Sequence, residues 1–137
     1  MSQENVEIVT RAIAAAIARP KPDYATLNEL YSPDHVLVPV GAASGVEEEG
    51  RGAEGFRIWR EGIEEFLAPE LELQGAVDIG PGKVLAVITT RFEGKASGAG
   101  AEEQIWNVVT VRDGLLVRTE AFTDPRRALL TAAEQSQ

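Results

Sequence analysis

Prolines and glycines cut this chain into segments of unequal length, and that punctuation limits the fold more than any other feature. An alanine-rich stretch is stopped by Pro20 and Pro22, Tyr31-Ser32-Pro33-Asp34 precedes an apolar run, and Arg112-Asp113-Gly114 separates two further runs near the end. Proline has no backbone N–H to give a helix or a ladder, and Asp-Gly favours a tight hairpin. The order of these signals implies a small cone-shaped α+β fold enclosing a pocket.

Ser2 is placed to cap a first helix whose Val6, Val9, Ile13 and Ile17 recur at spacings of three and four, and which ends near Arg19. Asp23 caps a short second helix with Leu27, Leu30 and Tyr31 inward, and Ser32-Pro33-Asp34 turns the chain. His35 to Val40 reads as a buried strand. Gly41 to Gly50 reads as a loop, whose run Glu47, Glu48, Glu49 is a solvated face. A third helix spans Ala53 to Leu67, with Phe56, Ile58, Trp59, Ile63 and Phe66 apolar, and Pro69 ends it.

Strands follow at Leu71 to Ile79, Lys83 to Glu93, Glu102 to Arg112 and Leu115 to Thr123, joined by Gly80-Pro81-Gly82, a glycine-rich loop and Asp113-Gly114. They suit a curved, mainly antiparallel sheet. Asp124 before Pro125 starts a final helix through Ala133. A length of 137 residues without a long linker or internal repeat fits one domain spanning the chain.

The order of elements resembles the SnoaL-like branch of the nuclear-transport-factor-2-like superfamily, whose relatives include polyketide cyclases, ketosteroid isomerase and limonene epoxide hydrolase. The residues carrying the resemblance are Tyr31-Ser32-Pro33-Asp34, Arg51-Gly52-Ala53-Glu54-Gly55 before the Trp59 helix, Gly94-Lys95-Ala96-Ser97-Gly98, Arg112-Asp113-Gly114 and Thr123-Asp124-Pro125-Arg126-Arg127-Ala128. They cover nearly the whole chain. The resemblance implies a curved sheet and helices around a mostly apolar cone, worked without a cofactor, in a superfamily whose chemistry varies between members.

Three enzyme readings follow from it. Isomerase-like proton transfer needs a base on the first strand, where the resemblance places Pro39, and an oxyanion donor, which falls on Asn107 with Tyr31 in support. Epoxide-hydrolase-like chemistry needs two acids bridged by an arginine. Arg91-Phe92-Glu93 resembles part of that element, and i, i+2 spacing puts Arg91 and Glu93 on one face. The second acid falls near Ala121, a position that neither Glu120 nor Asp124 shares unless a bulge reverses the alternation, and a surface ion pair explains Arg91 equally. Cyclase-like closure needs a deep acid or base. His35, the only histidine, stands at the start of its strand, where a structural role also fits.

A non-catalytic binding cone is the other reading, and a dimeric scaffold with a filled cone is a further one. Ile88, Thr90, Phe92, Ile105, Asn107, Val109, Thr119, Ala121 and Thr123 form one alternating set, joined by Tyr31, Trp59 and Arg60 from the helical side. They suit a small-molecule ligand, or simply a packed core. Arg60, turned inward, must meet Glu103, Glu120 or an acidic ligand, because an unpaired buried guanidinium is costly. Trp106, Val108 and Val117 alternate to the outer face of the sheet, where a second copy would cover them in a homodimer.

Several classes are disfavoured outright. A net charge of −9 from 13 basic and 22 acidic residues argues against nucleic acid. The pairs Arg57 with Arg60 and Arg126 with Arg127 read as helix surface. No apolar run approaches the roughly 20 residues of a membrane span. Met1-Ser2-Gln3-Glu4 lacks the basic start and apolar core of a secretory signal, so the expectation is a cytoplasmic protein. Without cysteine there is no disulfide, thiolate nucleophile or cysteine-bound metal, and no metal is expected.

Overall fold

The computed structural model describes residues 2–40, 51–64, 67–94 and 100–135, and side chains within 3–40, 51–64, 70–91 and 102–135. The expected loop at 41–50 with its glutamate run, and residues 95–99 of the glycine-rich hairpin, lie outside the described residues.

Helix α1 (Ser2–Ala16) buries Val9, Ala12, Ile13 and Ala16, the stripe that a period of 3.6 selects. It ends three residues before Arg19. Proline pushes its predecessor toward extended backbone, so the helix unwinds ahead of Pro20, and Asp23 N–H reaches back to the Ala15 carbonyl at 2.8 Å. Asp23 then caps α2 (Tyr24–Leu30), accepting the Thr26 N–H at 3.2 Å and the Thr26 hydroxyl at 2.7 Å.

Strand β1 (Tyr31–Val38) follows α2 directly, four residues earlier than the sequence suggests. Tyr31 pairs with Leu116 and Val36 with Arg118, so five steps on β1 match two on its partner. The predicted turn at Ser32-Pro33-Asp34 is therefore a bulge inside a strand, with the Ser32 hydroxyl accepting Asp34 N–H at 3.1 Å.

Helix α3 (Gly52–Glu64) buries Ala53, Phe56 and Arg60 on one face. Its first residue has φ 64, and a Cβ there would stand 3.3 Å from the Pro33 carbonyl, so glycine lets the helix start against the β1 bulge. The helix stops short of Leu67, and Pro69 does not end it. Leu67 instead opens β2 (Leu67–Gly80), where Pro69 pairs with Phe92 on the edge of the sheet. An edge strand tolerates the missing N–H.

The remaining elements are β3 (Lys83–Gly94), β4 (Gly100–Arg112), β5 (Leu115–Phe122) and α4 (Pro125–Gln135). The β4–β5 turn has φ 53 at Asp113 and φ 78 at Gly114, the two positive values of a type I′ hairpin. Sheet order is β1-β5-β4-β3-β2, an open, mixed sheet: β1 runs parallel to β5, and the other pairs are antiparallel.

The inner face carries Val84, Ala86, Val109 and Leu116 against Val9, Ile13, Leu27 and Phe56 of the helices. The outer face is not left open at Val108. Ala128 and Ala132 of α4 cover it, with Trp106 half-buried beside them, so α4 takes over part of the covering that a second copy would supply. Among the described residues no helix is long and apolar enough to cross a membrane.

Candidate functional site

A cavity of about 260 Å³ lies between the inner face of the sheet and helices α1 and α3. Its floor follows from register. Ile88 pairs with Ile105, Asn107 with Ala121 and Val109 with Thr119, and all six line it because alternate residues of paired strands share a face. Thr90 lines it from β3, opposite Glu103 on β4. Trp59 and Arg60 enter from α3, and Tyr31 from the start of β1.

Not every expected residue reaches this space. Arg91 is one step out of phase with Thr90 and points away, its Nε 2.6 Å from Glu102 Oε2 in an exposed ion pair. Thr123 falls past the end of β5, exposed and outside the lining. The side chains of Phe92 and Glu93 lie outside the described residues; their backbones pair with Ala101 and Gly100 in unbroken register. The second acid does not appear near Ala121 either. Glu120 accepts from Arg118 at 3.2 Å and Gln135 at 3.3 Å on the outer face, and Asp124 caps α4 through Arg126 N–H at 2.9 Å. The register shift in β5 lies before Arg118, so alternation from Arg118 to Phe122 is regular.

Lining residues that sequence reasoning alone does not assign to the cavity include Ile13, Ala16 and Ile17 of α1, Leu37 of β1 and Leu71 of β2, while Pro39, the expected base position, does line it. The helix stripe is visible as an inner face, but the part of the sheet it faces depends on how α1 crosses it. Glu103 is legible by its i, i+2 relation to Ile105.

Asn107 is 8 % exposed. The Nδ2 group donates to the Ala86 carbonyl at 3.3 Å and the Ile105 carbonyl at 3.4 Å, and only an NH₂ can satisfy two carbonyl oxygens. In this orientation Oδ1, an acceptor, is engaged by neither carbonyl. The expected oxyanion-donor role calls for the opposite orientation of the amide.

His35 is fully buried and is not among the lining residues. Its Nε2 lies 2.8 Å from Thr119 Oγ1, and its ring stacks on Tyr31 with centroids 4.2 Å apart. Burial, reinforced by the Arg118 charge, lowers its pKa to about 4, so the ring is neutral at pH 7. Nδ1 has no hydrogen-bond partner. An orphaned N–H is rarer than an orphaned lone pair, so the favoured tautomer donates Nε2–H to Thr119 and leaves the Thr119 O–H for the cavity. Burial raises the Tyr31 phenol above its ordinary value and keeps it neutral.

Arg60 has a side chain only 10 % exposed, and it meets neither Glu103 nor Glu120 as a salt-bridge partner; its ion pair is with Glu64, one turn along α3, at 3.4 Å. Among the described residues no group of three acidic or histidine side chains could hold a metal ion. The described lining is therefore an apolar wall with neutral hydroxyls, the Asn107 amide, the Arg60 guanidinium and, at an exposed position, the Glu103 carboxylate.

No family model matches the sequence, and no curated protein matches it. Solved structures do match it along nearly its whole length. An NTF2-like protein from Burkholderia thailandensis E264 superposes with TM-score 0.71 at 22 % identity, covering 97 % of each chain. A putative SnoaL-like polyketide cyclase from Jannaschia sp. CCS1 gives 0.70 at 16 %, over 96 % of this chain and 92 % of that one. An epoxide hydrolase of M. tuberculosis described as LEH-like gives 0.63 at 18 %, over 94 % and 86 %. The chain thus has the α+β cone fold of nuclear-transport-factor-2-like proteins, and at these identities the likeness is one of fold.

Proposed function

We propose that this protein binds a compact, mostly apolar organic molecule in its cone, and that Asn107 Oδ1 accepts a hydrogen bond from it. The observation that carries the reading is that Asn107 Nδ2 stands 3.3 and 3.4 Å from two backbone carbonyls, which leaves Oδ1 as the amide atom available to a ligand. The volume lies below the about 300–1,000 Å³ usual for drug-sized ligands, which favours a ligand of one or two rings. The apolar wall supplies affinity by desolvation, and the few polar atoms fix orientation.

Calorimetric titration with indole and N-methylindole tests this, because the two differ in one N–H. Indole should bind about tenfold tighter, and Asn107→Leu should remove the difference. Equal affinities in the wild type would defeat the reading.

A second reading is cyclase- or isomerase-like proton transfer through Thr119 to the neutral His35 behind it, in keeping with the cyclase among the similar structures. It requires the less favoured tautomer and a base of pKa about 4, so binding is the better-supported function. Loss of turnover in His35→Gln, with ligand affinity retained, would favour the catalytic reading.

A further inference from the structure

Arg60 makes the cavity more selective than its apolar wall suggests. The guanidinium carries five N–H donors, yet little of that capacity is used among the described residues. One terminal nitrogen reaches the Ala16 carbonyl at a long 3.4 Å. Nε stands 3.4 Å from Glu64 Oε2 without hydrogen-bond alignment, and it is buried with no hydrogen-bond partner. Glu64 is 44 % exposed and therefore partly solvated, so its hold on Arg60 is weak. A cation this buried and this loosely paired is costly in the free protein.

We propose that Arg60 anchors a ligand carboxylate, so that the molecules the cone takes are compact apolar organic acids. This rests on the cone being a binding site, as argued above. A planar carboxylate matches the fork of a guanidinium and can use two donors at once, which neither the Ala16 carbonyl nor Glu64 does. A neutral ligand leaves those donors unmade. A dianionic phosphate would have to be desolvated in a chamber of about 260 Å³ that also contains Glu103, whereas a monoanion with an apolar ring fills it at lower cost. Glu103 itself is exposed, so water screens its repulsion of an acid bound at Arg60.

Benzoate and benzamide are the probes, because they share shape and differ in charge. Titrated by calorimetry into the full chain in a buffer free of carboxylates, benzoate should bind at least about tenfold tighter than benzamide. Arg60→Met should abolish that preference while still binding benzamide, and Arg60→Lys should keep part of it. Equal binding of the two probes by the wild type, or a preference that survives in Arg60→Met, overturns the assignment. Benzamide binding without benzoate binding sinks the carboxylate alone, whereas binding of neither sinks the cone-binding reading as well. If Arg60→Met fails to fold, the wild-type comparison decides.

Discussion

His35 Nε2 stands 2.8 Å from Thr119 Oγ1 and ties the middle of β1 to β5 beside the cavity. Because burial holds the ring well below its ordinary 6.5, at about 4, the folded state binds fewer protons than the unfolded chain between those values. Stability is then fully present above pH 6.5 and falls as pH drops toward 4, by up to about 3 kcal/mol. Urea unfolding across that window should show a slope in the wild type that His35→Gln loses. A slope unchanged by the substitution would mean that His35 is not buried as a neutral ring.

Asn107→Asp should be costly. It would set a carboxyl oxygen against the Ala86 and Ile105 carbonyls that now receive N–H groups. The expected loss is about 2–4 kcal/mol at neutral pH. The carboxyl would have a raised pKa in the folded state, so part of the loss returns as pH falls and the group protonates. Chemical denaturation of the variant at two pH values reads this, and a variant as stable as the wild type at pH 7 would refute the hydrogen-bond assignment.

Gly82 has φ 68, and a Cβ would stand 3.1 Å from the Val111 carbonyl oxygen. Gly82→Ala should therefore destabilise the protein by about 1–2 kcal/mol. Gly75 has no positive φ, and a Cβ there would meet nothing within 4 Å, so it is the control and should tolerate alanine. Equal effects of the two substitutions in thermal melts would contradict the tight β2–β3 connection.

Arg91→Ala should change neither ligand affinity nor melting temperature measurably, because its ion pair with Glu102 is exposed and lies on the face away from the cavity. A large loss of ligand binding would place Arg91 in the site after all.

The parts of this fold that are legible in the sequence depend on local chemistry. Asp23 capping α2 and the Asp113-Gly114 hairpin follow from side-chain and backbone preferences that need no partner. Sequence and structure part where tertiary context decides. Pro69 reads as a helix stop, yet its position on an edge strand lets β2 run through it. Ser32-Pro33-Asp34 reads as a turn, but β5 lies close enough to pair on both sides of it. In the site, period-two alternation identifies the face carrying Ile105, Asn107 and Val109. It does not show which atom of Asn107 faces inward, because that depends on the carbonyls of Ala86, a residue on another strand, and of Ile105.

The most direct test of the acceptor role is the side-chain NH₂ signal of Asn107 in nitrogen–proton correlation spectra, followed by hydrogen exchange with and without bound indole. Both protons should be protected in the free protein and stay protected, on their backbone carbonyls, when the ligand binds. Fast exchange in the free protein, or a large ligand-induced shift showing an N–H turned onto the ligand, would contradict it.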